Sequence, residues 1–255
     1  MANTGLRGWW RLDGRTETGN TARDSSGNNL HGQLGALPGA SELPTWISDE
    51  PYPESGIGAL RFGRGVDGFV EVAPPDPKIL EPCVVSVEAW VRSPNDLSYG
   101  CYILSKGAES TAFASYALYT GRGGDDPVSE RGGLAFYIAG PGGAVSSPFV
   151  TRSEIWDGEW HHVVGTFDGR IVRLYIDGRL RGAGSDPGTA VPTASFIRYN
   201  LSTNDRFYIG QFRNVPTGPT PVRLGFWGDI SDVRIWAGVL SPDEVVLRYN
   251  HDNLP

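Results

Sequence analysis

The chain has 255 residues, 39% hydrophobic and 20% charged, a balance that excludes a disordered tail and suits one large all-β domain over 1–255. The formal net charge is −7 with no Lys/Arg cluster to offset it, which argues against a nucleic-acid partner. No apolar run has the length needed to span a bilayer, so a membrane partner is not expected either.

In chain order, segments 6–13, 59–62, 69–72, 84–92, 102–106, 116–120, 134–139, 160–167, 171–176, 206–212 and 225–236 are rich in Val, Ile, Tyr, Phe and Trp. Several alternate with the two-residue period of a strand, and the 35 Gly and 19 Pro fall between them as turn residues. With no long helical pattern between strands, the expectation is an all-β, two-sheet antiparallel sandwich. Asp168-Gly169 and Asp177-Gly178 mark two hairpins. Ser241-Pro242-Asp243-Glu244 is a capping box with Pro at the first helical position, predicting a C-terminal helix of about three turns. Residues 35–58, 121–132, 182–205 and 213–223 read as long loops. If 84–92 and 102–106 form a hairpin, Cys83 and Cys101 stand roughly 30 Å apart at about 3.3 Å per residue, so both are read as free thiols. Free thiols favour a reducing compartment. Residues 1–10 lack the basic-then-apolar pattern of a secretory signal, so the protein is expected to be cytoplasmic, or secreted and already trimmed.

Several motifs together resemble the bacterial laminin G-like jelly rolls of the concanavalin A-like lectin/glucanase superfamily, related in shape to pentraxins. They are Gly8-Trp9-Trp10-Arg11-Leu12-Asp13, Asp24-Ser25-Ser26-Gly27-Asn28, Gly58-Ala59-Leu60-Arg61-Phe62 and Val87-Glu88-Ala89-Trp90-Val91. Glu159-Trp160-His161-His162-Val163-Val164 is the most specific, and Gly228-Asp229-Ile230-Ser231-Asp232-Val233-Arg234-Ile235-Trp236 closes the series. The resemblance covers nearly the whole chain in order and implies a jelly-roll fold. It implies no single activity, because that superfamily holds sugar-binding modules, adhesion modules and glycan hydrolases.

The run Asp24-Ser25-Ser26-Gly27-Asn28 sets oxygen side chains at alternate positions, a spacing that can wrap calcium. The same run also reads as an Asx turn with Gly27 left-handed. The resemblance implies Asp13, Asp229 and Asp232 as neighbours, so Asp24, Asn28, Asp13 and Asp232 are the candidate metal ligands. Gly14, Gly63 and Ser231 stand where relatives often carry acids, which weakens that site.

His161 and His162 point to opposite faces of a strand, so they cannot converge on one ligand. In 84–92, Val85, Val87, Ala89 and Val91 form one apolar face, leaving Ser86, Glu88, Trp90 and Arg92 toward solvent or a groove. Tyr102 and Lys106, on the next strand, would join that face. The alternating acids of the superfamily's hydrolases are absent, as are a Gly-x-Ser-x-Gly elbow and a His-Glu-x-x-His helix. Trp46, Tyr52, Tyr99, Trp156, Tyr199 and Trp227 in loops suit stacking on sugar rings, and Arg122 adds a polar contact.

The leading expectation is a non-catalytic ligand-binding module, with carbohydrate or another small molecule as partner. Trp90, Trp46, Tyr99, Trp156, Trp227 and Arg122 would form its contacts. The alternative is a stand-alone enzyme on a concave sheet face, glycan-active or a cyclase for a small natural product. There Glu88 is the acid–base group, with Arg92, Lys106 and Tyr102 as partners. A protein-interaction module is the third reading.

Overall fold

The computed structural model describes residues 5–36, 43–52, 56–64, 68–94, 100–107, 114–121, 132–140, 143–147, 150–181, 197–199, 205–213 and 224–251. Sixteen strands and one α-helix lie within them. The strands are β1 (Gly5–Trp10), β2 (Thr21–Ala22), β3 (Gly32–Ala36), β4 (Thr45–Ile47), β5 (Ala59–Phe62), β6 (Gly68–Val72), β7 (Val85–Arg92) and β8 (Tyr102–Lys106). They continue as β9 (Tyr116–Gly121), β10 (Gly133–Gly140), β11 (Gly143–Ser146), β12 (His161–Phe167), β13 (Val172–Ile176), β14 (Arg179–Arg181), β15 (Phe207–Ile209) and β16 (Gly228–Ala237). Helix α1 (Pro242–Tyr249) follows.

Two eight-stranded sheets result. Sheet A runs β14-β13-β12-β7-β16-β5-β4, with β1 also paired to β16; sheet B runs β11-β10-β9-β8-β15-β6-β3-β2. The pairings between these strands are antiparallel. Strand β16 pairs with β5 through Ile230 and with β1 from Val233, and a register shift against β7 falls between. Asp232, at φ 50°, sits in that irregularity.

The inter-sheet core follows the predicted alternation. Val85, Val87, Ala89 and Val91 are fully buried beside Val163, Phe136 and Ile235. Trp10 stacks on Phe207 at 5.0 Å across the two sheets and donates its indole N–H to the Leu30 carbonyl. Close approach explains Gly165, where a Cβ would lie 2.3 Å from the Phe136 ring.

Local signals in the sequence act as expected. Asp177 (φ 51°) and Gly178 (φ 74°) both take positive φ in the tight β13–β14 hairpin. The β12–β13 connection is longer, and the Asp168 carboxylate accepts the N–H groups of Arg170 and Ile171. Ser241 and Glu244 form the reciprocal capping box of α1. The helix has eight residues, about two turns rather than three, because His251 enters the left-handed region.

One expectation is corrected. Strands β7 and β8 do not form a hairpin; the chain crosses from sheet A to sheet B between them. Cys83 (exposed) and Cys101 (buried) are free thiols, as expected, although the hairpin from which that was argued does not form.

Candidate functional site

The outer face of sheet A carries Ser86, Glu88, Trp90 and Arg92, as the alternation requires. It was expected to meet solvent or a groove, and it does not. Glu88 is 1% exposed, His162 2% and Trp90 5%. The chain's own C-terminal helix covers them, because Val245, Arg248 and Tyr249 fall on one side of α1. Trp90 packs against Tyr52 at 5.0 Å, His162 at 5.2 Å, His251 at 5.3 Å and Tyr249 at 6.1 Å. Glu88 Oε1 accepts from Arg234 Nη1 at 2.7 Å and lies 3.5 Å from Arg248 Nη1. Its Oε2 has no hydrogen-bond partner and lies 4.0 Å from His162 Nε2. Burial pushes the His162 pKa down to about 3, so its ring is neutral in this layer. Arg92 turns away to Asp229 and Asp49, at 2.6 and 2.7 Å, and lies over the Trp160 ring.

Lys106 and Tyr102 do not join this face, because β8 belongs to the other sheet. Lys106 lies at one end of the core, bonded to Glu81 Oε1 at 2.8 Å and to the Asp205 carbonyl at 2.5 Å. Tyr102 points outward from sheet B. Glu88, Arg92, Lys106 and Tyr102 therefore do not form one constellation.

Outside sheet B, Tyr102 meets a cluster that the sequence reading missed. Tyr102 stacks on Phe212 at 4.9 Å and contacts Tyr119 at 5.6 Å, and Tyr119 meets Tyr137 edge-on at 4.9 Å. The Tyr102 and Tyr137 hydroxyls are 3.2 Å apart, and Tyr137 also accepts the Ala114 N–H. Ala114 and Ala117 lie among the rings, and Tyr119 and Leu224 are half-buried at the rim. Burial raises the Tyr119 pKa to about 12, so these hydroxyls are neutral donors and acceptors. The signal was present: in 116–120, Tyr119 and Ala117 alternate with the core residues Tyr116 and Leu118, and Tyr137 does likewise between Phe136 and Ile138.

The predicted loop aromatics divide. Trp156 is fully buried and donates to the Gly132 carbonyl, so it is a core residue. Trp46 donates to the Gly19 carbonyl, Tyr199 to the Pro82 carbonyl, and Trp227 lies 4.7 Å from Arg64; all three are half-buried against the core. Tyr52 covers Trp90. Tyr99 and Arg122 lie outside the described residues.

The candidate calcium ligands, Asp24 and Asn28 from their spacing and Asp13, Asp229 and Asp232 from the resemblance, do not fit a shared cation. Asp24 Oδ1 accepts the N–H groups of Trp9 and Ser26, and Oδ2 accepts the Leu30 N–H and the Ser26 hydroxyl. This is the Asx-turn arrangement, with Gly27 at φ 90° and the Asn28 amide donating to the Arg7 carbonyl. Asp13 accepts from Arg15 N–H, Gly58 N–H and the Thr16 hydroxyl; Asp232 is held by Trp9 Nε1 and Arg234; Asp229 is held by Arg61 and Arg92. Donors fill the positions a cation would need, and among the described residues no group of three or more His, Cys, Asp or Glu could hold a metal. Calcium added to chelator-treated protein is expected to leave the melting temperature unchanged, since only a ligand of the native state raises it. A calcium-dependent rise in a thermal scan would restore the site.

With the fold established, its relatives can be placed. A laminin G-type family profile, described as the Concanavalin A-like lectin/glucanases superfamily, matches residues 65–246. The chain belongs to this superfamily. The mouse (Mus musculus) sushi, von Willebrand factor type A, EGF and pentraxin domain-containing protein 1 is 29% identical over 162 residues, which is 62% of this chain. The chain spans only 4% of the length of that relative. Domain 4 of AbnA, a GH43 extracellular arabinanase of Geobacillus stearothermophilus solved with arabinotriose, superposes with a TM-score of 0.56 at 19% identity, covering 95% of this chain and 97% of that one. The structure of botulinum neurotoxin type C, whose cell entry depends on two ganglioside molecules, gives a TM-score of 0.59 at 16% identity, covering 95% and 50%. Identities this low establish the jelly-roll fold alone.

Proposed function

We propose that the chain is a non-catalytic ligand-binding module whose ligand is a carbohydrate, held at the aromatic outer face of sheet B. The observation that carries this reading is the cluster of Tyr102, Tyr119, Tyr137 and Phe212. Four rings outside the inter-sheet core add little to joining the two sheets. Tyr102, Tyr137 and Phe212 are buried and support half-buried Tyr119, whose ring offers an apolar face with a hydroxyl at its edge, a match for the apolar face and hydroxyl rim of a sugar ring. Arabinotriose bound to the arabinanase domain, and the gangliosides required by the neurotoxin, support carbohydrate as the ligand class. The closed face over Glu88 gives no support to a reaction there.

Tyr119 is the test position, since it stands at the rim while Tyr102 and Tyr137 are buried. Tyr119→Ala is expected to weaken binding of oligosaccharides retained on a glycan array by about two- to tenfold, the scale of one aromatic contact. Calorimetry on the retained glycan measures it. Unchanged affinity in this variant would move the site elsewhere, and an array with no retained glycan would reject carbohydrate as the ligand.

A further inference from the structure

A concave site lies on the side of the molecule away from the tyrosine cluster. Between α1 and the β13–β14 hairpin is an open cavity of about 400 Å³, lined by residues that include Arg179, Arg181, Val246, Tyr249 and Asn250. That volume is within the usual range for small-ligand pockets. Gly178, required by the positive φ of the hairpin turn, forms part of the wall and faces the Tyr249 ring and the Val246 Cα.

Asp177 is engaged on both oxygens: Oδ1 accepts the His162 N–H, and Oδ2 bonds His161 Nδ1 at 2.8 Å. Arg181 is paired with Glu154. Arg179 is exposed, and among the described residues no carboxylate forms an ion pair with it. One guanidinium without an ion pair among the described residues thus stands at this cavity, whose only lining carboxylate, Asp177, is turned to the histidines of β12. A guanidinium presents a planar fork of N–H donors that matches a carboxylate. Val246, 41% exposed, and the Tyr249 ring supply an apolar wall, and the Asn250 amide supplies a donor and an acceptor.

We infer that this groove binds a small carboxylate carried on a single ring, with Arg179 as the anion contact and Val246 and Tyr249 against the ring. The site is independent of sheet B.

Four probes separate the terms: methyl glucuronide and benzoate carry the carboxylate, while methyl glucoside and benzyl alcohol are their neutral counterparts. At least one carboxylate is expected to bind more tightly than its neutral counterpart, and the tighter of the two names the ring as sugar or aromatic. Added salt should weaken that binding, because the contact is solvent-exposed. Arg179→Ala, at an exposed position that leaves the fold intact, should weaken it by about two- to fivefold, the scale of a solvent-exposed ion pair. Val246→Trp, which fills the groove, should abolish it, and Tyr119→Ala should leave it unchanged. Equal binding of the neutral probes, unchanged affinity in Arg179→Ala, or no binding of either carboxylate would overturn the inference. Loss in Tyr119→Ala alone would assign the carboxylate to sheet B instead.

Discussion

Replacing Lys106 with Met is expected to lower the unfolding free energy by about 3–5 kcal/mol, the cost of stranding one member of a buried ion pair. The Lys106 side chain is 1% exposed and that of Glu81 7%, with 2.8 Å between Nζ and Oε1. Burial pushes the ammonium pKa down, and the hydrogen bond and charge of Glu81 oppose that shift. Without the ammonium, Glu81 has no ion-pair partner among the described residues, and the Asp205 carbonyl loses a donor. The surroundings are otherwise self-sufficient, since Tyr116 donates to the Leu80 carbonyl and Tyr199 to the Pro82 carbonyl. The double variant Lys106→Met with Glu81→Leu should therefore recover most of the loss, because an apolar pair of similar volume can replace a buried salt bridge nearly neutrally. Urea denaturation of the two singles and the double closes the cycle. A single-variant loss below about 1 kcal/mol would show that the pair is hydrated and weak.

That pair also shows where the sequence was opaque. The alternation in 102–106 gave the strand, but period-2 patterning says only that neighbouring residues face opposite ways. It does not say whether the next strand pairs with the last or crosses to the other sheet. Assuming a hairpin set Lys106 and Tyr102 beside Glu88, whereas the crossover sends Lys106 to the end of the core. The apolar face Val85, Val87, Ala89 and Val91 was legible because all four residues agree on one side. What covers the opposite side was not, because Arg234 and Arg248 reach Glu88 from far along the chain. Turn chemistry read well at Asp177-Gly178, Gly27 and the Ser241 capping box, since each depends on two or three adjacent residues. Trp156 read as a loop aromatic because it follows no strand pattern, yet its indole N–H finds a buried carbonyl and the ring enters the core. The tyrosine cluster needed only the alternation in 116–120 and 134–139 to be compared strand by strand.

Adjacent histidines are expected to give the folding stability opposite slopes on the two sides of pH 6.5. His162 is held neutral down to about pH 3 by burial beneath α1; Asp232 and Asp177 oppose that shift, and Arg234 and Arg248 assist it. In the unfolded chain it takes up a proton near pH 6.5. Below that pH the unfolded state therefore binds more protons than the folded one, so stability falls as the medium is acidified toward pH 3. The slope approaches roughly 1.4 kcal/mol per pH unit for a single group, giving a loss on the order of a few kcal/mol across the window. His161 behaves oppositely. Burial acts to lower its pKa, but hydrogen bonds and charge from Asp177 and Asp157 outweigh it and hold the pKa above 6.5. Its contribution is complete below pH 6.5 and is lost as pH rises through the folded value. His162→Gln retains an amide that can hydrogen-bond but does not titrate, so it should flatten the acid limb and leave the alkaline one. His161→Gln should do the reverse. Denaturation midpoints from pH 4 to 9 measure both limbs, and NMR titration of the imidazole protons assigns them. A His162 ring that titrates between pH 6 and 7 in the folded protein would mean that water reaches Glu88 and Trp90, and the layer under α1 would then be an open site.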